Sequence, residues 1–296
     1  MTTTHTVLMD GNFYLHRSFS VAASNRKLEF LKKNTLTLFL TTICQDLVEL
    51  RATHALVVFD APGCFRFEVY KDYKANRRKN TGVEIRRSDG TTVTLKETAG
   101  SFVKDARKVI ELSGITHAYE KGYEGDDLLG CASISLPGRI TVCTRDKDAA
   151  VLVNDRVTQY WPKEKKRITP KEVRKEFGVE PEQVRDYLCL LGDGTDNIPG
   201  VPDFGPVTAR KLLLEHGSIA NALKDDKWRA RLMPHKKTLA IAKKLVTLRT
   251  DLTFKQKSLM FKTPSDELTE HIWSVPKALK DLGEARKMQT MKGLFG

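Results

Sequence analysis

Two hydrophobic rhythms alternate through the first 160 residues. Short, mostly apolar runs bounded by polar or turn-forming positions occur at residues 6–9 (TVLM), 54–59 (HALVVF), 115–119 (ITHAY), 139–144 (RITVCT) and 158–161 (TQYW). Runs of this length, rich in Val, Ile and Leu, predict strands covered on both faces, as in a parallel sheet. Between them, apolar positions spaced by three and four predict helices over 13–23, 35–50 and 101–113. Strand and helix in alternation argue an α/β fold around a mostly parallel sheet. Past residue 165 strand signals cease, and helices are predicted over 170–177 and 181–191, each with proline in its first turn. Further helices are predicted over 219–223, 228–233 and 238–247, and the tail from 250 is less regular. The predicted organisation is an α/β domain over 1–165 and a helical module over 166–296. Residues 80–100 (NTGVEIRRSDGTTVTLKETAG) break the pattern. An insertion of about 20 residues without clear structure is unusual in a compact domain and often functional. A mobile loop or arch is expected there, with room for a small hairpin around Ser88-Asp89-Gly90.

Charge changes the picture more than composition does. At 296 residues, 40% hydrophobic and 29% charged, the chain is an ordinary globular one with ample core. A formal net charge of +13 is not ordinary, and it favours a polyanionic partner, nucleic acid foremost. A merely solvated basic surface is the competing reading until the charges are located. Residues 71–87 locate some of them, with seven basic residues against two acids and Tyr70 and Tyr73 close by. Basic residues interleaved with aromatics suit a groove that neutralises phosphates and stacks unpaired bases, although most charge runs are solvated helix faces. Five cysteines without C-x-x-C spacing argue against a zinc site or disulfide framework and fit a reducing compartment. No leader pattern and no apolar run of bilayer length is present, so the expected setting is cytoplasmic, in a bacterial cell or phage-infected host, with no membrane.

The acids then acquire meaning from their positions. Asp10 ends the first predicted strand, Asp60 follows the second, and Asp146 and Asp148 follow the fourth. The carboxyl edge of a parallel sheet is where α/β folds place ligand-binding groups. Asp10-Gly11 taken alone is accounted for by a plain turn. Glu124, Asp126 and Asp127 crowd a predicted helix start, where capping explains one or two acids but not three. Asp193 and Asp196 follow the helix ending at 191. Clustered carboxylates repel unless a cation neutralises them, and an oxygen-only donor set suits Mg²⁺ or Mn²⁺. So many acids exceed the needs of one ion, which favours a two-metal phosphodiester hydrolase. Gly200, Pro202, Gly205 and Pro206 make a turn feeding a helix with Arg210 and Lys211, an arrangement that aims backbone N–H groups at a phosphate.

The segments LMDGNFYLHRSF, LVVFDAPGCFRFEVYKDYKANR, GYEGDDLLG, CTRDKDAAVLV and FGVEPEQVRDYLCLLGDGTDNIPGVP resemble, in this order, the 5′ nuclease (flap endonuclease) family. That family includes the 5′ nuclease domain of bacterial DNA polymerase I and its stand-alone phage and bacterial relatives. The resemblance implies a PIN-like α/β domain with a helical arch or loop at about 71–105 and a helix–three-turn–helix motif at about 185–216. It implies Mg²⁺-dependent cleavage of DNA at 5′ flaps, nicks or free 5′ ends, with an RNA primer–DNA hybrid as a further substrate, by a monomer. Family metal positions fall on Asp10, Asp60, Glu124, Asp126, Asp127, Asp146, Asp148, Asp193 and Asp196. Tyr73, Lys74 and Arg77 match the arch-base motif, in which the tyrosine stacks on substrate and the cations contact the scissile phosphate. DNA contacts are expected from Arg17, Arg78, Lys79, Arg86, Arg87, Gly200, Gly205, Thr208, Arg210 and Lys211. A K⁺ held by turn carbonyls is also implied, at a turn where Asp203 stands in place of a glycine and Val207 in place of a basic residue. An acid facing a phosphate costs Coulomb energy, so duplex contact would lean on Thr208, Arg210 and Lys211. The rival readings are a PIN-type ribonuclease, which needs neither Asp193 and Asp196 nor the Gly/Pro turn, and a non-catalytic branched-DNA-binding protein.

Overall fold

The computed structural model describes residues 4–24, 30–78, 83–86, 90, 92–95, 98–255 and 259. Eight strands are present among them: β1 (His5–Asp10), β2 (His54–Val58), β3 (Val83–Arg86), β4 (Thr92–Leu95), β5 (Thr116–Ala118), β6 (Arg139–Cys143), β7 (Val157–Trp161) and β8 (Lys166–Ile168). Six of these form one sheet in the order β5-β2-β1-β6-β7-β8. All its pairings are parallel except β7 with β8. The short β8 is an addition to the predicted pattern. Three residues with two cations give no periodic signal, and pairing with β7 makes the strand.

Alternate strand residues go to opposite faces. Val7, Met9, Ala55 and Val57 join a core with α1 (Gly11–Ala23), α2 (Leu31–Glu49) and, beyond the two short helices α3 (Arg66–Val69) and α4 (Ala75–Arg78), α5 (Val103–Leu112). Leu8, Leu56, Val58, Ile140 and Val142 join a second core with α6 (Gly125–Ser135). This two-sided burial is why the central strands read as continuous apolar runs.

The helical section comprises α7 (Pro170–Phe177), α8 (Val184–Leu191), α9 (Pro206–His216), α10 (Ile219–Ala222), α11 (Asp226–Leu232) and α12 (Lys236–Val246). Its core, centred on Leu188, Leu212 and Trp228, is continuous with Ala150, Trp161 and Ile168 of the sheet domain. Thr169 and Glu172 cap the start of α7, where Pro170 lacks the N–H that a first turn leaves unused.

The segment expected as an arch takes a different form. β3 and β4 pair antiparallel, with Val83 opposite Leu95 and Arg86 opposite Thr92. The β-branched residues of VEIR and TVTL favour a pleated ribbon over the helical arch that the resemblance implies. The hairpin placed around residues 88–90 agrees with this pairing. Its turn, apart from Gly90, lies outside the described residues.

Candidate metal and nucleic-acid site

Strand register brings the first acids together. Asp10 pairs with Val58, so Asp60 lies two residues beyond that level on the neighbouring strand. Met9 pairs with Cys143, so Thr144 is level with Asp10 and Asp146 lies two residues further. Three acids thus reach the same carboxyl edge where the chain, having built leftward from β1 through β2 and β5, crosses to β6 on the other side. Such switch points are where parallel sheets open a crevice. Gly11 makes the approach possible, because a Cβ there would lie 2.6 Å from the Phe59 ring and 2.7 Å from the Val58 carbonyl oxygen.

Six of the carboxylates are held by neighbouring groups. Asp10 caps α1, accepting from the Phe13 N–H at 2.9 Å and the Thr144 hydroxyl at 3.0 Å. Asp60 accepts from the Gly125 N–H at 2.7 Å and from the Asn12 amide. Asp146 caps the 3-10 turn Lys147–Leu152, accepting from the Asp148 N–H at 2.9 Å. Asp193 accepts from the Thr195 N–H at 2.7 Å. Glu124, at the N-cap of α6, accepts from Tyr73 Oη at 2.9 Å and Lys74 Nζ at 2.6 Å. Asp196 lies 3.7 Å from Lys74 Nζ, and its carbonyl accepts from the Lys74 N–H at 2.9 Å. The arch base is clamped to the 193–197 loop by two further bonds, Asn197 Nδ2 to the Asp72 carbonyl and Asn76 Nδ2 to the Gly194 carbonyl.

Electrostatics records the crowding. Asp10 and Asp126 keep some open surface, yet protein fills most of the volume around each carboxylate. Burial, with the charges of Asp60 and Asp146 adding to it, pushes the Asp10 carboxyl up to about 7. Burial and then the charges of Asp146, Asp10 and Asp60 push Asp126 well above the usual range. Asp148 goes up to about 7 through burial and the charge of Asp146. At Asp193 burial works upward but is outweighed, chiefly by Lys147 at 3.1 Å, and the carboxyl sits below the usual range. Lys74 is the converse: burial alone would lower it, and Glu124 and Asp196 hold it protonated.

These donors suit hard divalent cations. All are oxygens, neighbouring acids help to raise Asp10, Asp126 and Asp148, and Asp148 Oδ1 is buried with no hydrogen-bond partner among the described residues. Among the described residues no three metal-binding side chains form a ready-made cage. None is required, because Mg²⁺ keeps several waters and takes one or two carboxylates plus substrate phosphate.

Several predicted roles change. Asp127 leaves the metal set: it is fully buried, with Arg66 Nη1 at 2.7 Å and Nη2 at 2.8 Å, and accepts from the Glu124 and Arg249 N–H groups. It completes a capping box and a buried ion pair, so capping and pairing account for this third acid. Tyr73 is 3% exposed and packs edge-on to Phe67, so its ring cannot stack on a base. Arg210 donates Nε to the Phe177 carbonyl at 2.6 Å, stacking close over Gly178, which ties it to the end of α7. Arg17 lies half-buried on α1 in the field of the buried Asp46. Gly200 is packed so tightly that a Cβ would sit 2.2 Å from the Leu191 carbonyl oxygen. Gly205 caps α9 on the surface, Thr208 is half-buried in its first turn, and Lys211 is exposed beside Glu215. Asp203 is exposed at φ 62°, and Val207 is 78% exposed. The side chains of Arg77, Arg78 and Arg86, and Lys79 and Arg87 altogether, lie outside the described residues.

Arg66, Asn12, Thr144 and Lys147 are functional neighbours that the sequence reading passes over. Arg66 stands between Phe65 and Phe67 in a basic stretch. Apolar flanks were the available signal that this cation is buried, at 2% exposure.

Residues 5–178 match the family described as "5'-3' exonuclease, N-terminal resolvase-like domain", and residues 179–267 match "5'-3' exonuclease, C-terminal SAM fold". A 5'-3' exonuclease of Aquifex aeolicus is 29% identical over 97% of this chain and 98% of its own. DNA polymerase I of Mycobacterium bovis is 34% identical over 72% of this chain, which spans 23% of that protein's length. Among solved structures, bacteriophage T5 5'-exonuclease with bound divalent zinc ions shares the fold at TM-score 0.68 and 18% identity, covering 96% of this chain and 100% of that one. The catalytic core of Rad2 in complex with DNA substrate does so at TM-score 0.57 and 16% identity, covering 94% and 88%. The register-aligned acids, the two cores and both family matches agree: this chain belongs to the 5′–3′ exonuclease family.

Proposed function

We propose that the chain is a structure-selective, Mg²⁺-dependent 5′ nuclease that hydrolyses DNA at 5′ flaps, nicks and free ends in replication or repair. The observation carrying this reading is the convergence of Asp10, Asp60, Asp126, Asp146 and Asp148 on one sheet edge, where burial and the neighbouring acids raise Asp10, Asp126 and Asp148. Asp10, Asp60, Glu124, Asp126, Asp146, Asp148, Asp193 and Asp196 would hold the ions. When bound, a pair of Mg²⁺ ions, or Mn²⁺ in their place, lowers the pKa of a water and neutralises charge on the scissile phosphate. Lys74, held protonated beside Glu124, supplies a fixed positive charge to the phosphate as its charge builds. Tyr73 orients Glu124 and through it Lys74, and Arg77 is assigned to the same phosphate on the family motif.

Duplex DNA falls to the helical module. The start of α9 has no side-chain cap, so the Val207 and Thr208 N–H groups face outward to a phosphate. The sheet domain, which extends through β8 past the expected boundary at 165, is assigned as the catalytic domain, and the helical section after it as the DNA-binding module. The Asp193–Asp196 loop, clamped to the arch base, favours this reading over a PIN-type ribonuclease. The test compares a 5′-flap duplex with single-stranded RNA in Mg²⁺. Cutting near the flap junction with RNA spared supports the proposal, and preferential RNA cutting overturns it.

A further inference from the structure

Asn12 is the second residue of α1, two positions beyond Asp10. Its amide nitrogen donates to Asp60 Oδ2. The reverse amide orientation would set two acceptors against each other, so electrostatics determines which end faces Asp60. With the Gly125 N–H on Oδ1, both oxygens of this surface carboxylate are held from two different helices. The other end of Asn12 is unsatisfied: Oδ1 is buried and has no hydrogen-bond partner among the described residues. A buried carbonyl oxygen without a donor is unfavourable and calls for one. A phosphate oxygen cannot serve, being an acceptor itself. A cation, or the O–H of water around a cation, can.

We infer that Asn12 is a positioning residue of the metal centre, its amide nitrogen holding Asp60 while its amide oxygen faces a divalent cation and its water shell. This rests on the metal-dependent nuclease reading. It assigns the position after Asp10-Gly11 a role separate from the carboxylates. The arrangement is the usual outer layer of a metal site, in which a ligand is oriented by a hydrogen bond from a residue that also senses the ion.

Calorimetric titration of the full chain with Mn²⁺, without DNA, tests it. Asn12→Leu keeps the volume and removes both polar ends, and it should weaken Mn²⁺ binding by roughly 10- to 100-fold. If leucine prevents folding, Asn12→Ser carries the same test, because its hydroxyl is too short to reach Asp60, and the same weakening is expected. Unchanged Mn²⁺ binding in the folded leucine or serine variant overturns the inference alone. A wild-type chain that takes up no Mn²⁺ overturns both the inference and the reading beneath it.

Discussion

Asp127 and Asp126 are neighbours in sequence with opposite tasks. Asp127 faces Arg66 in a sealed pair, and Asp126 faces three other acids. Removing Arg66 would leave Asp127 buried without its cation, so Arg66→Ala should cost about 3–5 kcal/mol in denaturant unfolding. Adding Asp127→Ala should recover part of that loss, because the stranded charge goes with it. Asp126→Asn should instead stabilise the metal-free protein, since it removes one of the mutually repelling charges. Lys74→Ala is expected to lower the cleavage rate by about 2–4 kcal/mol of transition-state stabilisation, read from single-turnover kinetics, by analogy with a lost oxyanion donor. Residue type and position at strand and helix ends singled out all nine acids as candidates without separating them. Asp127 was indistinguishable in sequence because its partner lies 61 residues away.

At the scale of elements, β1, β2 and β6 decide the site, and their apolar runs marked them without ambiguity. Tertiary context supplied what periodicity lacked. β8 exists only as a partner for β7, and the β3–β4 ribbon was legible as turn chemistry but not as paired strands. Close approach was legible only as a glycine. Gly11→Ala would drive a methyl into Phe59 and the Val58 carbonyl and spread β1 from β2, costing about 1–3 kcal/mol of stability and lowering activity with it. The start of α9 makes the opposite case, an exposed position with space. Val207→Lys should tighten duplex binding and steepen its dependence on salt by about one unit of log–log slope, measured by fluorescence titration.

For the whole molecule, the acids make folding and ion binding opposed in their response to pH. Asp10 and Asp148 have folded values of about 7, against about 4 in an unfolded chain. Between those values the folded state holds more protons than the unfolded one, so metal-free stability falls as pH rises from about 4 to 7. Divalent cations need the deprotonated carboxylates, so their affinity rises over the same window and their binding releases protons. Melting curves with and without Mg²⁺ should therefore diverge as pH increases. The central claim is that distant acids form one metal-dependent cleavage centre. Its most direct test is the cleavage rate of a 5′-flap duplex by wild type and Asp126→Asn as Mg²⁺ is raised to saturation. The account predicts Mg²⁺-dependent cutting near the junction by wild type and none by the variant, with DNA binding retained. Cutting by Asp126→Asn at the wild-type rate, or cutting by wild type that persists in chelator, would contradict it.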